Sequence, residues 1–233
     1  MRRIILSAAL AGLAACSGRG RDAVPASADS AVAVVAPVDE RPVVLCFGTS
    51  LTAGLGLAPE EAYPALLQRK VDSARLGFRV VNAGVSGETS AAGLRRIDWL
   101  LEQPQRVAVL VLELGANNAL RGQDLTAARR DLQGTIDRTR AHYPEVRIVV
   151  AGMEAPPNLG RLYTQEFRAL FVDLARANRA ALIPFLLEGV AARPELNQTD
   201  GIHPTAAGAR IVADNVWRVL GPVLRSVTRE TGR

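Results

Sequence analysis

The sequence predicts an α/β domain whose parallel sheet is covered by helices on both faces. Three observations carry this. Residues 43–47 (VVLCF) and 107–114 (VAVLVLEL) are apolar runs, continuous in the first and broken only by Glu113 in the second, the pattern of strands buried on both faces. Such runs alternate with longer stretches of helical spacing, in the order β-α-β-α-β-α-β-α-β-α. Finally, 233 residues with 48% hydrophobic content suffice for one sizeable core without disulfides or metals.

The first strand stops at Gly48, where the backbone can turn sharply, and Ser50 follows at its carboxyl end. Residues 52–61 (TAGLGLAPEE) read as a Gly-rich loop. Gly54 and Gly56 resemble half of a phosphate-binding loop, but GxGxxG and Gly-Lys-Ser/Thr are both absent, which argues against a nucleotide site. Pro64 suits a first helical turn, and residues 65–74 carry helical spacing. Residues 78–82 form a second strand leading into Ala83-Gly84-Val85-Ser86-Gly87. A helix is expected over 88–102, with Trp99 and Leu100 on its apolar side.

The run 107–114 is the strongest strand and is expected at the sheet centre. It ends in Gly115-Ala116-Asn117-Asn118. A long helix over 124–142 follows, its arginines forming a solvated face, with His142 exposed at its end. Residues 146–151 are the fourth strand and 152–160 (GMEAPPNLG) a loop long enough to wall a site. Next come a helix over 161–178, a short strand over 181–185 and a loop over 186–199. Asp200-Gly201-Ile202-His203-Pro204 precedes a last helix over 206–220, with Thr205 as its N-cap.

Residues 1–15 read as a secretory leader, with Arg2 and Arg3 as the charged region, 4–13 as a short apolar core, and then Leu13-Ala14-Ala15-Cys16. That apolar run is too short to span a bilayer. Leu-Ala-Ala-Cys resembles a lipobox, implying lipidation of Cys16 and a lipid-anchored protein of the bacterial envelope. Ser17 in place of Asp favours the outer membrane, with the domain on the periplasmic side. Residues 16–41, rich in Ala, Ser, Asp, Pro and Val, read as a flexible tether. Cys46 is then left alone, and reads as a small buried hydrophobe. A formal charge of +5 arises from scattered Arg and Lys with no basic block, so no nucleic-acid partner is expected.

Right-handed crossovers put all strand-end loops on one rim, which would gather Ser50, Gly84 and Asn117. Of the two histidines, His203 follows Asp200 by three residues and is held extended before Pro204. A carboxylate on one ring nitrogen fixes the tautomer and frees the other to take a proton from a hydroxyl. Gly84 N–H, Ser50 N–H and the Asn117 amide are candidate donors to an oxyanion. Two histidines and no clustered carboxylates leave no credible metal-ligand set.

Gly-Thr-Ser-Leu, the lone glycine after the second strand, Gly-Ala-Asn-Asn and Asp-x-x-His fall in the block order of the SGNH/GDSL hydrolases. FGTSLTAGLGL, NAGVSGETS, ELGANNALRG, APPNLGRLYTQEF and DGIHPTAAG resemble the bacterial arylesterase/thioesterase/lysophospholipase branch. The resemblance covers 42 to about 224, leaving 225–233 as a tail. It implies a flavodoxin-like three-layer α/β/α sandwich on a five-stranded parallel sheet and ester hydrolysis without cofactor or metal, acting on small-molecule esters or lysolipids. It implies Ser50 as nucleophile, His203 as base, Asp200 as its orienting group, and Ser50, Gly84 and Asn117 as oxyanion hole. It also implies a pocket near Leu120, Pro156 and Pro157. Two positions depart from the pattern: Thr49 stands for Asp, and Asn118 for a second Asp. The same machinery would serve a carbohydrate acetylesterase, and the two departures leave open a non-catalytic envelope binding protein.

Overall fold

The computed structural model describes residues 39–230 and Gly232. The leader, Cys16 and nearly all of the tether lie outside the described residues. The last tether residues do touch the domain: Asp39 lies 3.8 Å from Arg79, and Arg41 lies 3.8 Å from Asp72.

Five parallel strands form one sheet in the order β2-β1-β3-β4-β5. They are β1 (Val43–Gly48), β2 (Arg79–Gly84), β3 (Val107–Glu113), β4 (Arg147–Ala151) and β5 (Ala181–Ile183). Every residue of β1 and β3 is buried, which accounts for the apolar runs, interrupted only by Glu113 of β3, while the edge strand β2 is only partly covered. The helices are α1 (Ser50–Ala53), α2 (Tyr63–Ser73), α3 (Ser90–Leu101), α4 (Ala116–Leu120), α5 (Leu125–His142), α6 (Arg161–Ala177) and α7 (Ala206–Glu230). On one face α2 packs on α7. On the other, α3 packs on α5 and α5 on α6. This is the expected three-layer sandwich, with β3 central. The strand order reverses between β1 and β3, so the loops after these two strands flank the switch point where open α/β sheets bind ligands.

Three expectations change. Ser50 and Asn117 sit in short helices, α1 and α4, rather than in loops. Trp99 is 61% exposed, because α3 turns Ile97, Leu100 and Leu101 inward and carries Trp99 onto the outer side. The last helix runs to Glu230, so residues 225–230 are helix, not tail. Gly221-Pro222 reads as a stop in sequence. A helix-interior proline costs about 3 kcal/mol. Beyond it, however, Leu224 and Val227 extend the buried stripe of Val212, Val216 and Leu220, each burial contributing about 1.5–3 kcal/mol. The stripe wins and the helix passes through the proline.

Candidate active site

Gly48 ends β1 beside Gly84 of β2 and Glu113 of β3 in the strand register. The chain then turns into α1, capped by Thr49, and presents Ser50 at its first position. The Ser50 Oγ lies 2.8 Å from His203 Nε2, and His203 Nδ1 lies 2.6 Å from Asp200 Oδ2. Asp200 Oδ1 also accepts the backbone N–H groups of Ile202 (2.9 Å) and His203 (3.0 Å). One carboxylate therefore both shapes the loop and orients the ring. These bonds, the His203 N–H first, hold the Asp200 carboxyl well below the usual carboxylate range.

The His203 loop is tied to the Ser50 side. Gln198 Nε2 donates to Leu55 O (2.7 Å) and to Pro204 O (3.0 Å). A Cβ on Gly56 would run into the Gln198 amide, so this glycine of the Gly54/Gly56 loop makes room for the tie. Cys46 is fully buried and its thiol is pushed up to about 12 by that burial, which removes it as a rival nucleophile. His142 is exposed at the end of α5, as expected.

Gly84 is not at the site. Its N–H donates to Asn82 Oδ1 (3.0 Å), and its missing Cβ lets the α1 backbone at Ala53 approach. Gly87 takes the place expected of it. The Glu88 N–H closes a turn onto Val85 O, with Gly87 at the third position and φ +78°, as a type II turn requires. Gly87 lines the same cleft as Ser50, Asn117 and His203, and among the described residues its N–H and that of Ser50 have no acceptor. The sequence, read with the strand ending at Asn82, left both glycines of NAGVSGE in the loop; the structure ends β2 at Gly84 and leaves only Gly87 beyond it, in the turn.

Asn117 donates one amide hydrogen to Glu88 O (3.1 Å), leaving the other for a ligand. Arg96 braces this loop from behind. It bonds the Glu88 carboxylate through Nε (2.7 Å) and Nη2 (2.5 Å), donates to Ala83 O (2.9 Å) and stacks 4.4 Å over the Phe47 ring. Asn118 uses both ends of its amide. Its Oδ1 accepts from Ser90 N (2.9 Å), and its Nδ2 donates to Ser90 Oγ (3.0 Å) and Gln123 Oε1 (3.0 Å). The Asn118 amide thus accepts and donates within this one network.

The cleft holds about 560 Å³, within the range of small-molecule sites. Leu120, Pro156 and Pro157 all line it, with Leu55, Met153 and Phe185. The polar groups converge at one end on Ser50, and the walls are mainly apolar.

Such a hydroxyl–imidazole–carboxylate line beside free N–H donors is the arrangement of acyl transfer. Residues 46–211 match the model of the GDSL-like lipase/acylhydrolase family. The chain belongs to that family. It is an ester hydrolase of the SGNH type. It is 37% identical over 181 residues to esterase TesA of Pseudomonas aeruginosa, covering 78% of this chain and 89% of that one. It is 36% identical over 181 residues to thioesterase 1/protease 1/lysophospholipase L1 of Escherichia coli K12, covering 78% and 84%. Among solved structures it resembles AlinE4, an SGNH-hydrolase family esterase, with TM-score 0.66 and 42% identity over 79% of this chain and 97% of that one.

Proposed function

We propose that this SGNH hydrolase cleaves carboxylic esters, with aryl, short-acyl and thio esters and lysolipids as its substrate classes, through an acyl-enzyme on Ser50. The observation that carries the assignment of roles is the unbroken line from Ser50 Oγ through His203 to Asp200. Ser50 Oγ attacks the acyl carbonyl while its proton passes to His203 Nε2. The N–H groups of Ser50 and Gly87 and the Asn117 amide receive the oxyanion. The tetrahedral intermediate collapses, the bond to the alcohol or thiol breaks, and the leaving group takes the proton from Nε2. Water then repeats the sequence on the acyl-Ser50 ester, with His203 as base and then acid, and releases the acid.

The apolar walls at Leu55, Leu120, Pro156 and Pro157 favour an acyl or aryl group over a sugar. That preference, and the names of the relatives, support esters and thioesters over glycan acetates. The leader features, with Cys16 at the end of Leu-Ala-Ala-Cys, support anchoring in the bacterial envelope by a lipid on Cys16, at the outer membrane.

The test is a chain-length series of p-nitrophenyl esters and acyl thioesters, with labelling by an organophosphonate. Hydrolysis with a burst of alcohol and one phosphonyl group on Ser50 are expected. A folded protein that neither turns over nor takes the label would overturn the reading. Asn117→Ala is expected to lower kcat by about 10²–10³-fold, as loss of one oxyanion donor does. KM should stay within a few-fold, which steady-state kinetics on one ester would check.

A further inference from the structure

We propose that Glu113, at the end of β3, is the positioning residue that fixes the nucleophile turn from beneath. The inference rests on the reading of Ser50 as nucleophile. Glu113 interrupts an otherwise apolar central strand, and its side chain is completely buried. Among the described residues no cation pairs with it: its partners are Thr49 and Thr52, the residues on either side of the Ser50-Leu51 pair. Thr49 N–H donates to Oε2 (2.8 Å), Thr49 Oγ1 to Oε1 (3.0 Å) and Thr52 Oγ1 to Oε2 (2.7 Å). Behind them, Tyr63 Oη lies 2.9 Å from Thr52 Oγ1; with the Thr52 hydrogen turned toward the carboxylate, the Tyr63 hydroxyl donates to Thr52 Oγ1.

The sheet register and the sequence agree on this seat. Gly48 is the neighbour of Glu113 across β1 and β3. A Cβ on Gly48 would stand 2.5 Å from Glu113 Oε2. Any larger residue would displace the carboxylate, so Gly48 serves the seat as well as the turn.

The turn needs such an anchor. α1 has four residues, too few to hold itself. The Thr49 cap bond to Leu51 N is long, at 3.5 Å, and among the described residues the Ser50 N–H has no acceptor. What locks the segment to the rigid sheet is the Glu113 carboxylate, and with it the aim of both Ser50 Oγ and Ser50 N–H. Threonine at 49 gives this seat a hydroxyl donor besides its backbone N–H.

A displacement of the reacting atom by about 1 Å costs on the order of 10²-fold in rate. Glu113 does not line the cleft, so substrate binding should be spared. Glu113→Ala is therefore expected to lower kcat by about 10²-fold, and the rate of Ser50 phosphonylation equally, with KM within about two-fold. Glu113→Gln, which keeps an acceptor for Thr49 N–H, should restore kcat to within about 10-fold of wild type. Melting curves establish that each variant is folded. If Glu113→Ala does not fold, Thr52→Val is measured instead, with a fall in kcat at constant KM expected. A folded Glu113→Ala, or failing that Thr52→Val, with wild-type kcat and phosphonylation rate would overturn the proposal. So would a loss that falls equally on kcat and KM and is not relieved by Gln. A wild-type protein inert to both ester and phosphonate would instead sink the reading of Ser50.

Discussion

Ser50→Ala is expected to lower kcat on any ester substrate by on the order of 10⁶-fold and to abolish labelling by an organophosphonate. The magnitude follows from cooperation: without the nucleophile, the His203 base and the oxyanion donors have no covalent step to serve. The fold should be untouched. Ser50 Oγ makes one side-chain bond, to His203, and such a bond contributes about 0.5–1.5 kcal/mol net. In a domain of this size that is a shift of a few degrees in Tm. Activity and thermal unfolding measured on the same preparation separate the two effects. Residual turnover within about 100-fold of wild type would require another nucleophile. The nearest thiol in sequence, Cys46, is shut off by burial and by a pKa pushed up to about 12.

How much of this site could be read from the chain depends on what fixes each residue. Val43 to Phe47 and Val107 to Leu112 were legible because burial on both faces leaves an unbroken apolar signature. Ser50, Asp200 and His203 were legible because a strand end and a short i,i+3 loop confine them locally. Gly87 was missed in favour of Gly84 because the choice rests on which N–H the turn after β2 directs into the cleft, and that is set by the bond from Glu88 to Val85. Glu113 was hidden for the opposite reason. It sits inside a strand whose pattern is otherwise core, and only the register beside Gly48 turns it into a partner of residues 64 and 61 positions away. Trp99 and the end of α7 show that helical phase and tertiary burial outrank residue type: an aromatic faces solvent and a proline sits mid-helix.

Asp200→Asn should leave the loop standing and still lower kcat at neutral pH by about 10⁴-fold. The Asp200 Oδ1 position, which holds the N–H groups of Ile202 and His203, is an oxygen in either residue. At Oδ2 the amide would instead present an N–H to His203 Nδ1. That favours the tautomer with its hydrogen on Nε2, which donates to Ser50 and cannot accept the hydroxyl proton. KM should therefore hold while kcat falls. The pH dependence separates this from simple loosening. The Asp200 carboxyl is depressed by its hydrogen bonds, so its contribution is present above its ordinary range and is lost only as pH falls well below it. In the wild type Asp200 should accordingly add no limb to the rate profile at neutral or mildly acid pH. Measuring kcat over roughly pH 5–9 reads both points. Asp200→Asn within 10-fold of wild type across that range would overturn the role assigned to the carboxylate.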